Sequence, residues 1–203
     1  DDLILPGLIA TAAGALDSDH SVVAIYPDWR MIDEHGKTLT DVWSRDYDYR
    51  MMLEEHYCIP GPGTVFRRSA FGDELVRSAG FPLNGDFESW LRLGLKGPMK
   101  RLPQGSACWR RHAGGASLSN RTTALASDRI RVIESVFERT DLPQEVASLK
   151  SQSLSAAYYY AAILGLHDSR VPARQYLARS LTRKCFWPSR ISAARRRSWK
   201  LMF

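Results

Sequence analysis

The stretch Leu83-Asn84-Gly85-Asp86-Phe87-Glu88-Ser89-Trp90-Leu91-Arg92-Leu93 places two carboxylates beside an Asn-Gly turn and then runs directly into a helical pattern. Gly85 frees its neighbours sterically, so Asp86 is expected at the mouth of a helix and not inside it. Phe87, Trp90, Leu91 and Leu95 recur at i, i+3, i+4 and i+8, one face of a helix. That face anchors the helix and leaves its acidic start facing a cleft. The residues alone leave two readings of Asp86 open, a helix cap or a working carboxylate.

Working outward, Lys96-Gly97 supplies the glycine expected after a helix end, with Pro98 beyond it. On the other side, Gly80-Phe81-Pro82 breaks a short helix expected from Ser69 to about Val76. Thr64-Val65-Phe66 reads as a brief strand, Pro60-Gly61-Pro62-Gly63 as a loop, and Tyr49 to His56 as a helix. Ser21 to Tyr26 is β-branched and apolar, the pattern of a buried strand. Trp29 to Asp33 is a second short strand, turning through Glu34-His35-Gly36-Lys37 into a hairpin towards Leu39. Pro6 suits a first helical turn, so a helix is expected from Leu8 to about Leu16.

Beyond the central stretch, Lys100-Arg101-Leu102 and Ala107-Cys108-Trp109-Arg110 read as short strands, and Ala113 to Ser117 as a loop. From Ser119 the pattern is helical, with Leu125, Val132, Ile133, Val136 and Phe137 in register. Asp141-Leu142-Pro143 separates this from a second helix, Gln144 to Leu166, and a third runs from about Pro172 to Leu181. The last two resemble a tetratricopeptide-style hairpin. One pair does not make a solenoid, so they read as an α-helical appendage.

The length of 203 residues suits one domain of usual size with an appendage. A composition of 44% hydrophobic and 25% charged residues is ordinary for a globular chain. No apolar run approaches the roughly 18 residues of a membrane span. Cys58, Cys108 and Cys185 are odd in number and lack metal-ligand spacing, which reads as reduced thiols of a cytoplasmic protein. The net charge of +6 is uneven: Ser169 to Phe203 carries ten Lys or Arg and no acid, leaving −4 for the remainder. Such asymmetry points to an anionic partner for the tail.

Asp1-Asp2, Asp86 with Glu88, and His112 all stand in loops beside strands, where sites concentrate. Here a resemblance emerges. Asp1-Asp2-Leu3-Ile4-Leu5-Pro6-Gly7 resembles the second half of the Asp-x-Asp region of family 2 glycosyltransferases. Ile25 to Gly36 is similar to that family's strand and hairpin, and Pro62 to Ala70 resembles its Phe-Arg-Arg-Ser stretch. Gly85 to Leu93 resembles its Asp-x-Asp-x-Trp-Leu-Arg acceptor-side motif. Trp109-Arg110-Arg111-His112, with Ser117 and Ser119 after it, resembles its Tyr-Arg-x-His-x-x-Ser closing motif. Each motif is weak alone; five in the family's order are strong together. The resemblance covers residues 1 to about 120.

The resemblance implies an α/β fold: a GT-A mixed sheet without its N-terminal half over residues 1–118, a helical appendage over 119–182, and a basic amphipathic tail over 183–203. The nucleotide-binding half is expected to lie upstream of Asp1, so that this chain alone would be inactive. It implies an inverting transfer of a sugar from a nucleotide-diphosphate donor to a glycan or lipid-linked hydroxyl acceptor. Asp1 and His112 would hold Mg²⁺ or Mn²⁺, hard cations suited to oxygen-rich sites. Asp2 and Arg111 would face the donor. Asp86 would be the general base, and Glu88 would contact the acceptor. Glu88 departs from the pattern, which has Asp there, and the loop after His112 is longer than the family's.

A second reading is non-enzymatic. Arg195-Arg196-Arg197 beside Trp187, Trp199, Leu201 and Phe203 suits an amphipathic segment on an anionic membrane. That would place the protein at the inner face of a membrane. Nucleic acid is not favoured, because no recognised motif accompanies the basic residues. A metal-dependent hydrolase is disfavoured for want of a water-activating ligand cluster.

Overall fold

The computed structural model describes residues 1–115, 123–165 and 170–182. The basic tail over 183–203, Cys185, Ser117 and Ser119 lie outside the described residues. The chain is an α/β protein that divides into two compact units. The first comprises Asp1–Tyr49, Cys58–Ser78 and Asp86–Ser119; the second comprises Arg50–Tyr57, Ala79–Gly85 and Asn120–Phe203.

The first unit is built on a mixed sheet. Its strands are β1 (Leu3–Ile4), β2 (Ala24–Ile32), β3 (Thr38–Val42), β4 (Val65–Phe66) and β5 (Met99–Arg110). Their order is β1-β5-β2-β3, with β4 also pairing β2. Only β2 and β5 run parallel; β1, β3 and β4 join antiparallel. A parallel pair requires a long crossover, and the crossover carries α3 (Gly85–Gly94). β2 is buried continuously from Ala24 to Asp28, as expected of a central strand covered on both faces. Helix α1 (Leu8–Ser18) packs Ala12 and Leu16 on Val22 and Ile25. Its C-terminal carbonyls are held by Arg67, whose guanidinium donates to Leu16 O and, at 3.3 Å, to Asp19 O, while Nε reaches Val22 O at 2.9 Å. A cation there meets the negative end of the helix dipole.

Three expected breaks differ. The separate strands expected at 21–26 and 29–33 are one strand, and so are those at 100–102 and 107–110. The pairing shifts register at Pro27/Asp28 and Asp28/Trp29, moving from Pro27↔Leu102 to Asp28↔Gly105. Pro103, which has no N–H to give, falls in this irregularity, where a strand tolerates it. The helix expected from Ser69 to Val76 is a single 3₁₀ turn, Arg68–Phe71, closed by Gly72 at φ +56°. A positive φ there ends helical progression and suits glycine.

In the second unit, α2 (Tyr49–Glu55, from Arg50 onward) accompanies α4 (Thr123–Phe137), α5 (Gln144–Ala147), α6 (Lys150–Gly165) and α7 (Arg170–Thr182). The single helix expected over 144–166 is broken into α5 and α6 around Ser148-Leu149. Small residues let α6 and α7 approach closely: Ala162 packs on Leu177, and a Cβ on Gly165 would lie 3.4–3.5 Å from Ala173. Ser155 and Ser180 exchange buried hydroxyl bonds across this pair. The segment before α3 is held within this unit, with the Leu83 and Asn84 amides donating to Asp128 Oδ2 at 3.1 and 2.9 Å. Among the described residues, no helix is long and apolar enough to cross a membrane.

Candidate functional site

The site residues fall into two groups within the first unit. The first gathers at one end of the sheet. β1 pairs Leu3 with Cys108 and Ile4 with Ala107, which carries Asp1 and Asp2 alongside the end of β5. Asp2 Oδ1 accepts the Arg110 amide at 2.9 Å, and the Arg110 Nε donates to Asp1 O at 3.0 Å. Asp1 Oδ2 meets His112 Nε2 in a direct contact, although 111 positions separate them in the chain. The imidazole is 30% exposed and the carboxylate 54% exposed, so the pair faces solvent. A tight turn follows, closed by the Gly115 amide on His112 O at 3.0 Å. Arg111 extends the strand pairing, its amide donating to Ile32 O at 2.8 Å, and its side chain is exposed.

The second group lies on α3. Asp86 is exposed at the second residue of the helix, with Oδ1 accepting the Phe87 amide at 2.7 Å. Phe87 and Leu91 are buried, as the periodicity requires, with Leu93 also inside. Trp90 packs edge-on against Phe66 at 5.9 Å between centroids. Glu88 points inward. It is buried, and its carboxylate takes Arg92 Nε at 2.6 Å and Nη2 at 3.0 Å. Arg92 is further tied to Glu74 at 2.8 Å and Val76 O at 3.0 Å, and lies over the Phe71 ring. Glu88 is therefore committed to the scaffold of α3, with both carboxylate oxygens occupied. Among the described residues no hydrogen bond or ion pair joins Asp86 to Asp1, Asp2 or His112.

Two features escaped sequence reading. Arg110 touches Asp1, Asp2, Asp33 and Glu34, and nothing in its local sequence distinguishes it from Arg111. Asp28 is buried in mid-sheet, where Arg101 grips both oxygens at 2.8 Å and the Ser44 amide donates at 2.8 Å. The guanidinium holds the Asp28 carboxyl below the usual carboxylate range, with the Ser44 amide helping and burial opposing. An acid following Pro27 in an apolar run gives no hint of a partner 73 positions away.

A groove of about 550 Å³ runs beside β1 and α1, lined by Ile4, Leu5, Pro6, Ile9 and Ala10. Its wall carries no titratable side chain. The donor set of Asp1 and His112, with Asp2 adjacent, is oxygen-rich with one imidazole, which suits Mg²⁺ or Mn²⁺. Among the described residues no three His, Cys, Asp or Glu side chains gather into one cation-holding group. Mg²⁺ is commonly bound through one or two carboxylates and fills the rest with water and phosphate oxygens; here Asp1 Oδ2 and His112 Nε2 face each other directly, so both could hold one ion only after that contact opens.

No protein-family model matches the chain, and no characterised protein matches it significantly.

Proposed function

We propose that this protein is a glycosyltransferase of GT-A type, moving a sugar from a nucleotide-diphosphate donor to a hydroxyl of a glycan or lipid-linked acceptor. The observation that carries this reading is the meeting of Asp1 with His112, with Asp2 held alongside by Arg110. These are residues that the motif resemblance assigns to the diphosphate end of such a site. Asp1 and His112 would hold Mg²⁺ or Mn²⁺, which would supply charge neutralisation for a departing diphosphate. Asp2 and the exposed Arg111 face the donor side.

Asp86 is the base. A sugar hydroxyl is far less acidic than a carboxylic acid, so its proton must leave as the bond to the anomeric carbon forms. The carboxylate removes that proton while the acceptor oxygen attacks opposite the leaving diphosphate, which inverts the anomeric centre. Arg92, gripped by Glu88, ties α3 to Glu74 and Val76 O.

The test is sugar transfer from a panel of nucleotide sugars by the full-length gene product with Mn²⁺. Asp86→Asn is expected to lower kcat about 10²–10⁴-fold, the range for loss of general-base catalysis. Turnover by Asp86→Asn at the unaltered rate removes Asp86 from the mechanism, and inertness towards every nucleotide sugar removes the assignment.

A further inference from the structure

We infer that the outer face of α7 docks on an anionic lipid surface, independently of any transfer chemistry. Arg174 and Arg179 meet the headgroups, and Leu181 enters the layer beneath them. α6 and α7 form an antiparallel hairpin: Ser155 meets Ser180 towards one end, and Gly165 approaches Ala173 towards the other. α7 turns Ala173, Leu177 and Ser180 inward, all of them buried. Its exposed side is Arg174, Gln175, Ala178, Arg179, Leu181 and Thr182. Arg174, Ala178 and Leu181 follow at i, i+4 and i+7, a single stripe along the helix. Leu181 is 43% exposed, a large apolar side chain left in water at the end of that stripe. Arg179 lies over the Tyr158 ring at 5.7 Å, which holds its guanidinium on the surface of the hairpin.

Charge selects the partner. Neither α6 nor α7 contains an Asp or Glu, while α6 opens on Lys150 and α7 carries Arg170, Arg174 and Arg179. The cations continue in the sequence: Ser169 to Phe203 holds ten Lys or Arg without one acid, against −4 for the rest of the chain. A face of one sign is complementary to anionic headgroups, and each Lys or Arg close to such a surface strengthens binding about fivefold. Cations beside an aliphatic side chain suit the boundary between headgroups and acyl chains. The phosphate backbone that dominates nucleic-acid binding takes the cations but gives Leu181 nothing to bury against.

The experiment is co-sedimentation of the full chain with vesicles of phosphatidylcholine and phosphatidylglycerol in equal parts, against vesicles of phosphatidylcholine alone. The unmodified chain is expected to bind the anionic vesicles, to leave them as salt rises, and to ignore the neutral ones. Arg174→Gln with Arg179→Gln should weaken binding about 25-fold, fivefold for each charge. Arg179→Lys gives up the stacking and keeps the charge, so it should bind like the unmodified chain. So should Arg30→Gln, which removes a cation paired with Asp41 in the first unit. Ala178→Glu sets a carboxylate in the middle of the stripe without removing a contact. It should weaken binding about fivefold and decides the matter if the double variant folds poorly. Unaltered binding in Ala178→Glu and in the folded double variant overturns the role of α7, and equal binding to neutral vesicles overturns the recognition of charge. A chain that ignores anionic vesicles overturns the inference, and if it retards an oligonucleotide in a gel the face belongs to nucleic acid.

Discussion

Asp1 Oδ2 meets His112 Nε2, joining the start of the chain to the residue two beyond the end of β5. Groups that act as one unit lose their function together, so their substitutions are not additive. Asp1→Asn and His112→Ala are each expected to lower kcat/KM of the full-length protein about 100-fold, or ~2.7 kcal/mol. The double variant should fall little further. Steady-state kinetics across the double-mutant cycle give the coupling; two independent losses that multiply would separate the residues into different roles.

Glu88 and Arg92 form a two-pronged pair one helical turn apart, with side chains only 8% and 12% exposed. Removing one partner of a buried pair leaves the other uncompensated. Arg92 retains Glu74 and Val76 O, so Glu88→Gln is expected to destabilise the first unit by about 3 kcal/mol, the low end of the range for such losses. Chemical denaturation reads this directly. At a temperature where the variant stays folded, the acceptor KM should be unchanged, because both Glu88 oxygens already face Arg92.

Gly63 has φ +78°, and a Cβ there would stand 2.7 Å from Ala107 Cβ, 2.9 Å from Leu8 Cδ2 and 3.2 Å from Pro27 Cγ. Gly63→Ala therefore meets both backbone strain and overpacking, together about 3 kcal/mol. Ala107→Gly in the same chain removes the nearest clash and leaves the strain. The double variant should recover part of the loss in thermal unfolding, and full recovery would show that the positive φ costs nothing.

Acid should loosen the sheet through Asp28. Its carboxyl titrates below the ordinary value because Arg101 grips the charged form. The pair therefore contributes its full stability above about pH 4, where the unfolded carboxyl is also ionised. That contribution is lost as pH falls through the lowered native value. Asp28→Asn should cost about 2–4 kcal/mol at neutral pH and flatten the decline of stability below pH 4. A variant whose acid limb parallels that of the unmodified chain would rule Asp28 out as its source.

The α3 face was legible because its information is local: Phe87 and Leu91 recur at helical spacing and are buried. The Pro60 to Gly63 loop and the helix at Leu8 were legible for the same reason, in proline and glycine. The continuity of β2 and β5 was not. Pro27-Asp28 and Pro103-Gln104-Gly105 read as breaks in isolation, and become strand only because each irregularity sits opposite the other. The short helix expected after Ser69 rested on composition, and Gly72 at positive φ overrode it. On α3 the direction of the carboxylates was not legible. Nothing local announces that Glu88 turns inward and Asp86 outward on the same helix start.

The parallel pairing of β2 with β5 also sets a timetable. Ala24 aligns with Met99 and Ile32 with Arg110, so β2 has no neighbour on that side until β5 has been made. At ~5–20 residues per second that delay is on the order of 4–15 s. Through it a run of buried residues, Val22 to Tyr26, is left without its longest partner. During synthesis the Asp1–His112 contact forms only after the final strand of this unit has emerged.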